Sequence, residues 1–200
     1  MTGMLLLVRH GRTLANAEGR LVGRSDVGLD DAGRLQAEAT AALVGPVDRV
    51  VSSPLERARQ TAEAFGMPVE VDERWIELDY GEWDGRQVRE VEPFEWARWQ
   101  SDLDFTPPGG ESLRAVGQRV REACTELAEQ AVDQRVVVVT HVSPLKAAIA
   151  WALGVGDDTS WRCFVSPGSV SRIRITTAGP TLVSFNESAH LADIAPLAHW

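Results

Sequence analysis

Cysteine, lysine and tyrosine are scarce in this 200-residue chain, with two, one and one copies. Cys124 and Cys163 share no metal-ligand spacing and are too few for a disulfide framework. Cys124 falls on the apolar side of an expected helix, which predicts a buried thiol. No apolar run approaches the ~18 residues of a membrane span. Leu5–Val8 is too short for the apolar core of a signal peptide and no basic segment precedes it, so a cytoplasmic protein is expected. Positive charge is in deficit: 20 Lys and Arg against 29 Asp and Glu leave −9, which argues against a nucleic-acid binder. Lys146 is the only lysine, so positive charge is informative where arginines gather.

What remains is ordinary globular composition, 44% hydrophobic and 24% charged, in a length that fits one domain over residues 1–200. Strand and helix signals alternate. Leu5–Val8 reads as a strand, and Asp30 caps a helix whose buried stripe would be Leu35, Ala39 and Ala42. Val47–Val51 is a second strand. Ser53-Pro54-Leu55-Glu56 has the spacing of a helix start, with a capping serine, proline at the first position and glutamate at the third. Pro68–Asp72 is a short strand. Residues 74–110 are irregular and rich in Trp and Phe, and end at Pro107-Pro108-Gly109-Gly110. A long helix then buries Leu113, Val116, Val120, Cys124 and Leu127. Val136–Val139, four valines in a row, marks a strand covered on both faces. Another helix follows Ser143-Pro144, with Ser143 as its natural cap. Ser171–Thr176 and Thr181–Phe185 form closing strands. This order predicts an α/β fold, a three-layer α/β/α sandwich with a mostly parallel central sheet.

Leu5–Val8 runs directly into Arg9 and His10, which is costly at the end of a buried strand unless a partner compensates. Two more strand ends carry polar groups: Ser52-Ser53-Pro54, with Arg57 in the following helical turn, and Thr140-His141. Ligands of open α/β sheets bind beyond the carboxyl ends of the strands. Two arginines, two histidines and several helix N-termini at one sheet edge, in an acidic protein, predict a pocket for a small dianion. Arginine forks and free helical N–H groups suit phosphate oxygens.

These residues bring the chain to a known pattern. Arg9-His10-Gly11-Arg12-Thr13 with Asn16, Val51–Ala58, Glu77–Gly85, Pro108-Gly109-Gly110-Glu111-Ser112 and Thr140-His141 occur in that order. Together they resemble the histidine phosphatase, or phosphoglycerate mutase-like, superfamily. The resemblance implies that His10 is the nucleophile forming a phosphohistidine. It implies that Arg9, Arg57, His141 and Asn16 bind the phosphate. Chemistry alone does not choose among Glu77, Asp79 and Glu82 as the general acid; the register of the family pattern picks Glu77. It further implies a metal-independent phosphomonoesterase acting on a small phosphorylated metabolite, without cofactor, without nucleic-acid or membrane partner, and with a homodimer common among relatives.

Two features favour a phosphatase over a mutase, the short segment between Gly85 and Gly109 and the Pro-Gly-Gly-Glu-Ser turn. Thr140-His141-Val142-Ser143-Pro144-Leu145-Lys146 resembles the α-ribazole and acid phosphatase relatives. Val22-Gly23 departs from the usual pattern at a position tied to substrate, which makes Gly23 a candidate substrate-binding residue. A phosphoglycerate mutase and a non-catalytic phosphate-ester binder are the alternatives. Residues 74–110 are expected to form a partial lid. Phe94, Trp96, Trp99 and Phe105 are read as core and lid packing, with an apolar wall for the substrate's alcohol as the minority reading. Arg59, His190 and His199 are read as surface or packing residues. Ser143 and Lys146 match the Ser-x-x-Lys spacing of penicillin-binding enzymes, but no companion motif accompanies them.

Overall fold

Side-chain alternation along one strand dresses both faces of the central sheet. The computed structural model of the protein describes residues 2–194, so His199 lies outside the described residues. In strand β1 (Gly3–Arg9), Leu5 and Leu7 face one cluster while Leu6 and Val8 face another. The helices are α1 (Leu14–Ala17), α2 (Asp31–Val44), α3 (Glu56–Glu63), α4 (Pro93–Ser101), α5 (Leu113–Gln130) and α6 (Val142–Leu153). The remaining strands are β2 (Arg49–Ser52), β3 (Val69–Val71), β4 (Arg135–Thr140), β5 (Val170–Thr176) and β6 (Gly179–Glu187). They form one six-stranded sheet of order β3-β2-β4-β1-β5-β6. The first four are parallel, and the β5–β6 pair is antiparallel.

Helices α5 and α6 cover the face of Leu5, Leu7, Val136 and Val138; α2 and α3 cover the face of Leu6, Val8, Val137 and Val139. The three expected layers are present. All four valines of β4 are fully buried, each worth about 1.5–3 kcal/mol of transfer free energy. The buried stripe expected for α5 is also present.

Three local expectations fail, each for a polar reason. Leu35 is 53% exposed and Ala42 is exposed; the inner face of α2 is Gly33, Gln36, Ala37, Thr40 and Val44. Gln36 accepts the Arg12 N–H, and Thr40 Oγ1 lies 2.7 Å from the Gly168 carbonyl, so polar groups face inward to hold loops. Ser53 does not cap α3, which begins at Glu56 and receives Asp26 Oδ1 at its first N–H instead. Ser143 lies inside α6, whose N-cap is His141. Both α3 and α6 thus start around side chains engaged in a site rather than at free caps.

Candidate active site

Strand register brings the two histidines together. Arg9 pairs with Thr140, so His10 and His141 leave adjacent parallel strands side by side, with ring centroids 5.0 Å apart. The His10 backbone N–H donates to the Thr140 carbonyl at 2.9 Å. His10 Nδ1 lies 2.7 Å from the Gly11 carbonyl oxygen. A carbonyl only accepts, so Nδ1 carries the proton and the neutral ring has its lone pair on Nε2. Burial, then the charges of Arg57 and Arg9, hold His10 well below the ordinary imidazole range. His141 is lowered in the same way, by burial and then by Arg57, His10 and Arg9.

Around these rings lie buried nitrogens with nothing to bond. Arg9 donates one Nη to the Val165 carbonyl at 2.6 Å, yet its Nε has no partner among the described residues. Burial pulls its pKa down to about 10. Arg57 is fully buried; its Nη atoms donate to the Ser25 and Gly23 carbonyls at 2.8 and 2.7 Å, and its Nε is unpartnered. His141 Nε2 lies 2.7 Å from Ser53 Oγ, while Nδ1 is unpartnered. Orphaned buried polar atoms are rare in folded proteins. Three of them, two on like-charged guanidinium groups and one on His141, suit an anion with several acceptor oxygens.

A cavity of about 190 Å³ opens beside them, lined by Arg9, His10, Asn16 and Glu77, among others. Arg57 and His141 sit behind this lining rather than in it. Of the three candidate acids only Glu77 reaches the cavity. Its Oε1 accepts from the backbone of Leu78 and Ser143 at 2.8 and 3.1 Å, and its Oε2 from Val142 at 3.0 Å, tying it to the start of α6. Asp79 instead accepts from Gly81 N and faces Arg24, and Glu82 is exposed. Asn16 both lines the cavity and completes the capping box at the start of α1, its Oδ1 accepting from Thr13 N at 3.1 Å.

Gly23, the candidate substrate-binding residue, stands beside the cavity lining. Its N–H is spent on Asp84 and its carbonyl on Arg57, a Cβ there would meet Tyr80 and the Leu78 carbonyl, and Leu21 and Val22 line the cavity in its place. Gly23 holds Arg57. Among the lining residues that the sequence reading gave no site role are three polar ones, Arg20, Tyr80 and Lys146. For Lys146 the spacing Val142, Lys146 on one helix face was the available signal.

Close backbone approaches lock the pieces. A Cβ on Gly33 would fall 2.0 Å from the Arg12 carbonyl oxygen, so only glycine lets α2 sit against the loop after β1. Gly81, at φ 52°, is packed on the Pro108 carbonyl and joins the Glu77–Gly85 and Pro108–Ser112 segments. Among the described residues, no group of three or more His, Cys, Asp or Glu could hold a metal ion, and no helix is long and apolar enough to cross a membrane.

A neutral imidazole at the end of a central parallel strand, ringed by buried cationic donors, defines a protein class built to receive a phosphoryl group. The chain belongs to the histidine phosphatase superfamily, branch 1, whose family model matches residues 5–188. A bifunctional protein of Mycobacterium tuberculosis is 35% identical over 198 residues, covering 94% of this chain and 54% of its own length. The chain therefore spans about half the length of that relative. Phosphoserine phosphatase 1 of Hydrogenobacter thermophilus is 33% identical over 207 residues, covering 98% of this chain and 97% of its own. A histidine-to-alanine variant of phosphoserine phosphatase from Entamoeba histolytica, solved with phosphoserine, superposes with a TM-score of 0.87 at 26% identity, over 94% of this chain and 98% of that one.

Proposed function

We propose that the protein is a metal-independent phosphomonoesterase that hydrolyses a small phosphorylated metabolite through a phosphohistidine. His10 Nε2 attacks phosphorus, a P–N bond forms and the P–O bond to the alcohol breaks. The departing oxygen keeps the electron pair and takes a proton from Glu77. Water then attacks the phosphohistidine, Glu77 takes its proton, the P–N bond breaks, and inorganic phosphate leaves. Arg9, Arg57 and His141, with the amide of Asn16, hold the phosphoryl oxygens as charge builds on them. Residues 74–110 act as a partial lid, since Tyr80, Val88, Trp96 and Trp99 stand in the walls of the pocket.

The observation that carries this reading is the neutral His10, its lone pair directed away from Gly11, beside three unpartnered buried nitrogens. Activity with p-nitrophenyl phosphate tests it. His10→Ala is expected to lower kcat/KM at least about 10³-fold, and rapid quench of the intact enzyme should trap an acid-labile phosphoryl label on His10. An active His10→Ala variant, or a label elsewhere, overturns the assignment.

A further inference from the structure

The catalytic cavity does not end at the phosphate site. A second hollow of about 290 Å³ adjoins it and shares six lining residues with it, among them Leu21, Tyr80, Lys146 and Phe164. Its far wall is aromatic. Trp99 stands edge-on to Trp161 at 4.7 Å and 87°, and to Trp96 at 5.1 Å and 76°. These contacts fix the rings against one another, so the wall is preformed rather than collapsible. Phe164 stays 51% exposed at the junction of the two spaces, so its ring is open to a ligand in either.

One cation interrupts this apolar surface. Lys146 lines both spaces and makes no hydrogen bond or ion pair among the described residues, although every other cation lining the pocket has a partner. It lies largely buried, and burial lowers its pKa. The Glu77 carboxylate lends it favourable charge without forming an ion pair, and a desolvated ammonium that bonds no counter-charge is costly unless a ligand supplies one. The phosphate already has Arg9, Arg57 and His141, which leaves Lys146 for a different group of the substrate.

We propose that the hollow receives the leaving alcohol, that this alcohol carries a flat apolar ring, and that Lys146 pairs with an anionic substituent on it. This deepens the phosphatase reading and rests on it. Lys146 is a specificity-determining residue, and the substrate class is a phosphomonoester of a ring-bearing, acidic alcohol rather than of a small polar one.

Three alkyl phosphates with similar leaving oxygens test the assignment: ethyl phosphate, 2-phenylethyl phosphate and the para-carboxylate of the latter. In the unmodified enzyme kcat/KM should rise about tenfold with the ring and about tenfold again with the carboxylate. Lys146→Met, which keeps the stem, should erase the second ratio, and Lys146→Arg should restore part of it. Phe164→Ala should shrink the first ratio. A flat series in an enzyme that hydrolyses ethyl phosphate overturns the inference and leaves the phosphatase reading standing. So does a carboxylate ratio untouched by Lys146→Met, or an equal loss on all three esters, which would put Lys146 on the phosphate. Failure to hydrolyse any of them, or p-nitrophenyl phosphate, overturns both.

Discussion

The two ends of the pocket are built on different principles. The cationic end hangs from regular structure: His10 and Arg9 leave β1, His141 leaves β4, Arg57 sits in the first turn of α3, and backbone hydrogen bonds set their spacing. The apolar end comes from irregular segments, with Tyr80 at a 3₁₀ turn, Trp96 and Trp99 on the short α4, and Trp161 and Phe164 at and just after another 3₁₀ stretch. A sheet fixes reacting groups to within fractions of an ångström because register leaves no freedom. Loops packed by side chains can change shape without moving those groups. On the proposed reading chemistry is held by one end and selection by the other, and the two should fail separately.

The sharpest break separates proton delivery from phosphate binding at the cationic end. Glu77→Gln keeps the side-chain length but cannot deliver a proton. Turnover of alkyl phosphates is expected to fall by about 10²–10⁴-fold, whereas p-nitrophenyl phosphate, whose leaving group hardly needs a proton, should lose far less. Parallel kinetics on the two ester types measure this. Equal losses would show that Glu77 serves mainly to anchor the start of α6 through Val142 and Ser143.

At the apolar end the expected failure is one of stability. Trp99 is buried and stacks edge-on against Tyr80, Trp83, Trp96 and Trp161. Trp99→Ala should cost about 3–5 kcal/mol, or roughly 6–20 °C in Tm for a protein of this size. Thermal unfolding followed by circular dichroism checks it. A change under about 1 kcal/mol would mean that the wall adds shape but no stability.

Acid separates the ends by another route. His10 and His141 are held neutral in the folded state, with pKa values well below those of the unfolded chain. Below about pH 6.5, the ordinary imidazole value, the unfolded chain binds protons that the folded one refuses. Stability from these groups is therefore full above that pH and lost as pH falls towards the folded values. Tm should be flat near neutrality and decline below it, and His141→Gln should shallow the decline. An unchanged slope in that variant would remove His141 as a source of the acid sensitivity.

The same contrast decides what could be read from the residues alone. Strand–helix alternation is a local pattern, so β1, β4, α5 and the layering were legible, and the strand-end rule gathered His10, Arg9, Arg57 and His141. Glu77 needed the family pattern, since Asp79 and Glu82 are chemically equivalent until the fold shows which one reaches the cavity. The tryptophan wall was legible only as the minority reading of Trp96 and Trp99, and Lys146 not as part of it, because their neighbours come from distant irregular segments. Gly23 also holds Arg57 through its carbonyl, a contact that no side-chain pattern records. Ser53 and Ser143 carry the right residue types for helix caps, but Asp26 takes the first N–H of α3 and the Glu77 carboxylate takes the N–H groups of Val142 and Ser143 at the start of α6.

The smallest expected effect concerns the support beneath the cationic end, where periodicity pointed to the wrong face of α2. Thr40 Oγ1 contacts the Gly168 carbonyl, His190 Nε2 lies 3.1 Å from the same hydroxyl, and the Gly168 N–H donates to the Arg9 and His10 carbonyls at 3.0 and 3.1 Å. A polar chain therefore runs from α2 to the backbone of His10, in contrast to the ring-on-ring bracing of the tryptophan end. Thr40→Val keeps the shape but strips buried carbonyls of a donor, which should cost about 1–3 kcal/mol. Leu35→Ala, on the same helix, should stay within about 0.5 kcal/mol of the starting protein. Urea titration of the pair measures both. A larger loss at Leu35 than at Thr40 would return α2 to an ordinary apolar stripe and leave the cationic end without its polar underpinning.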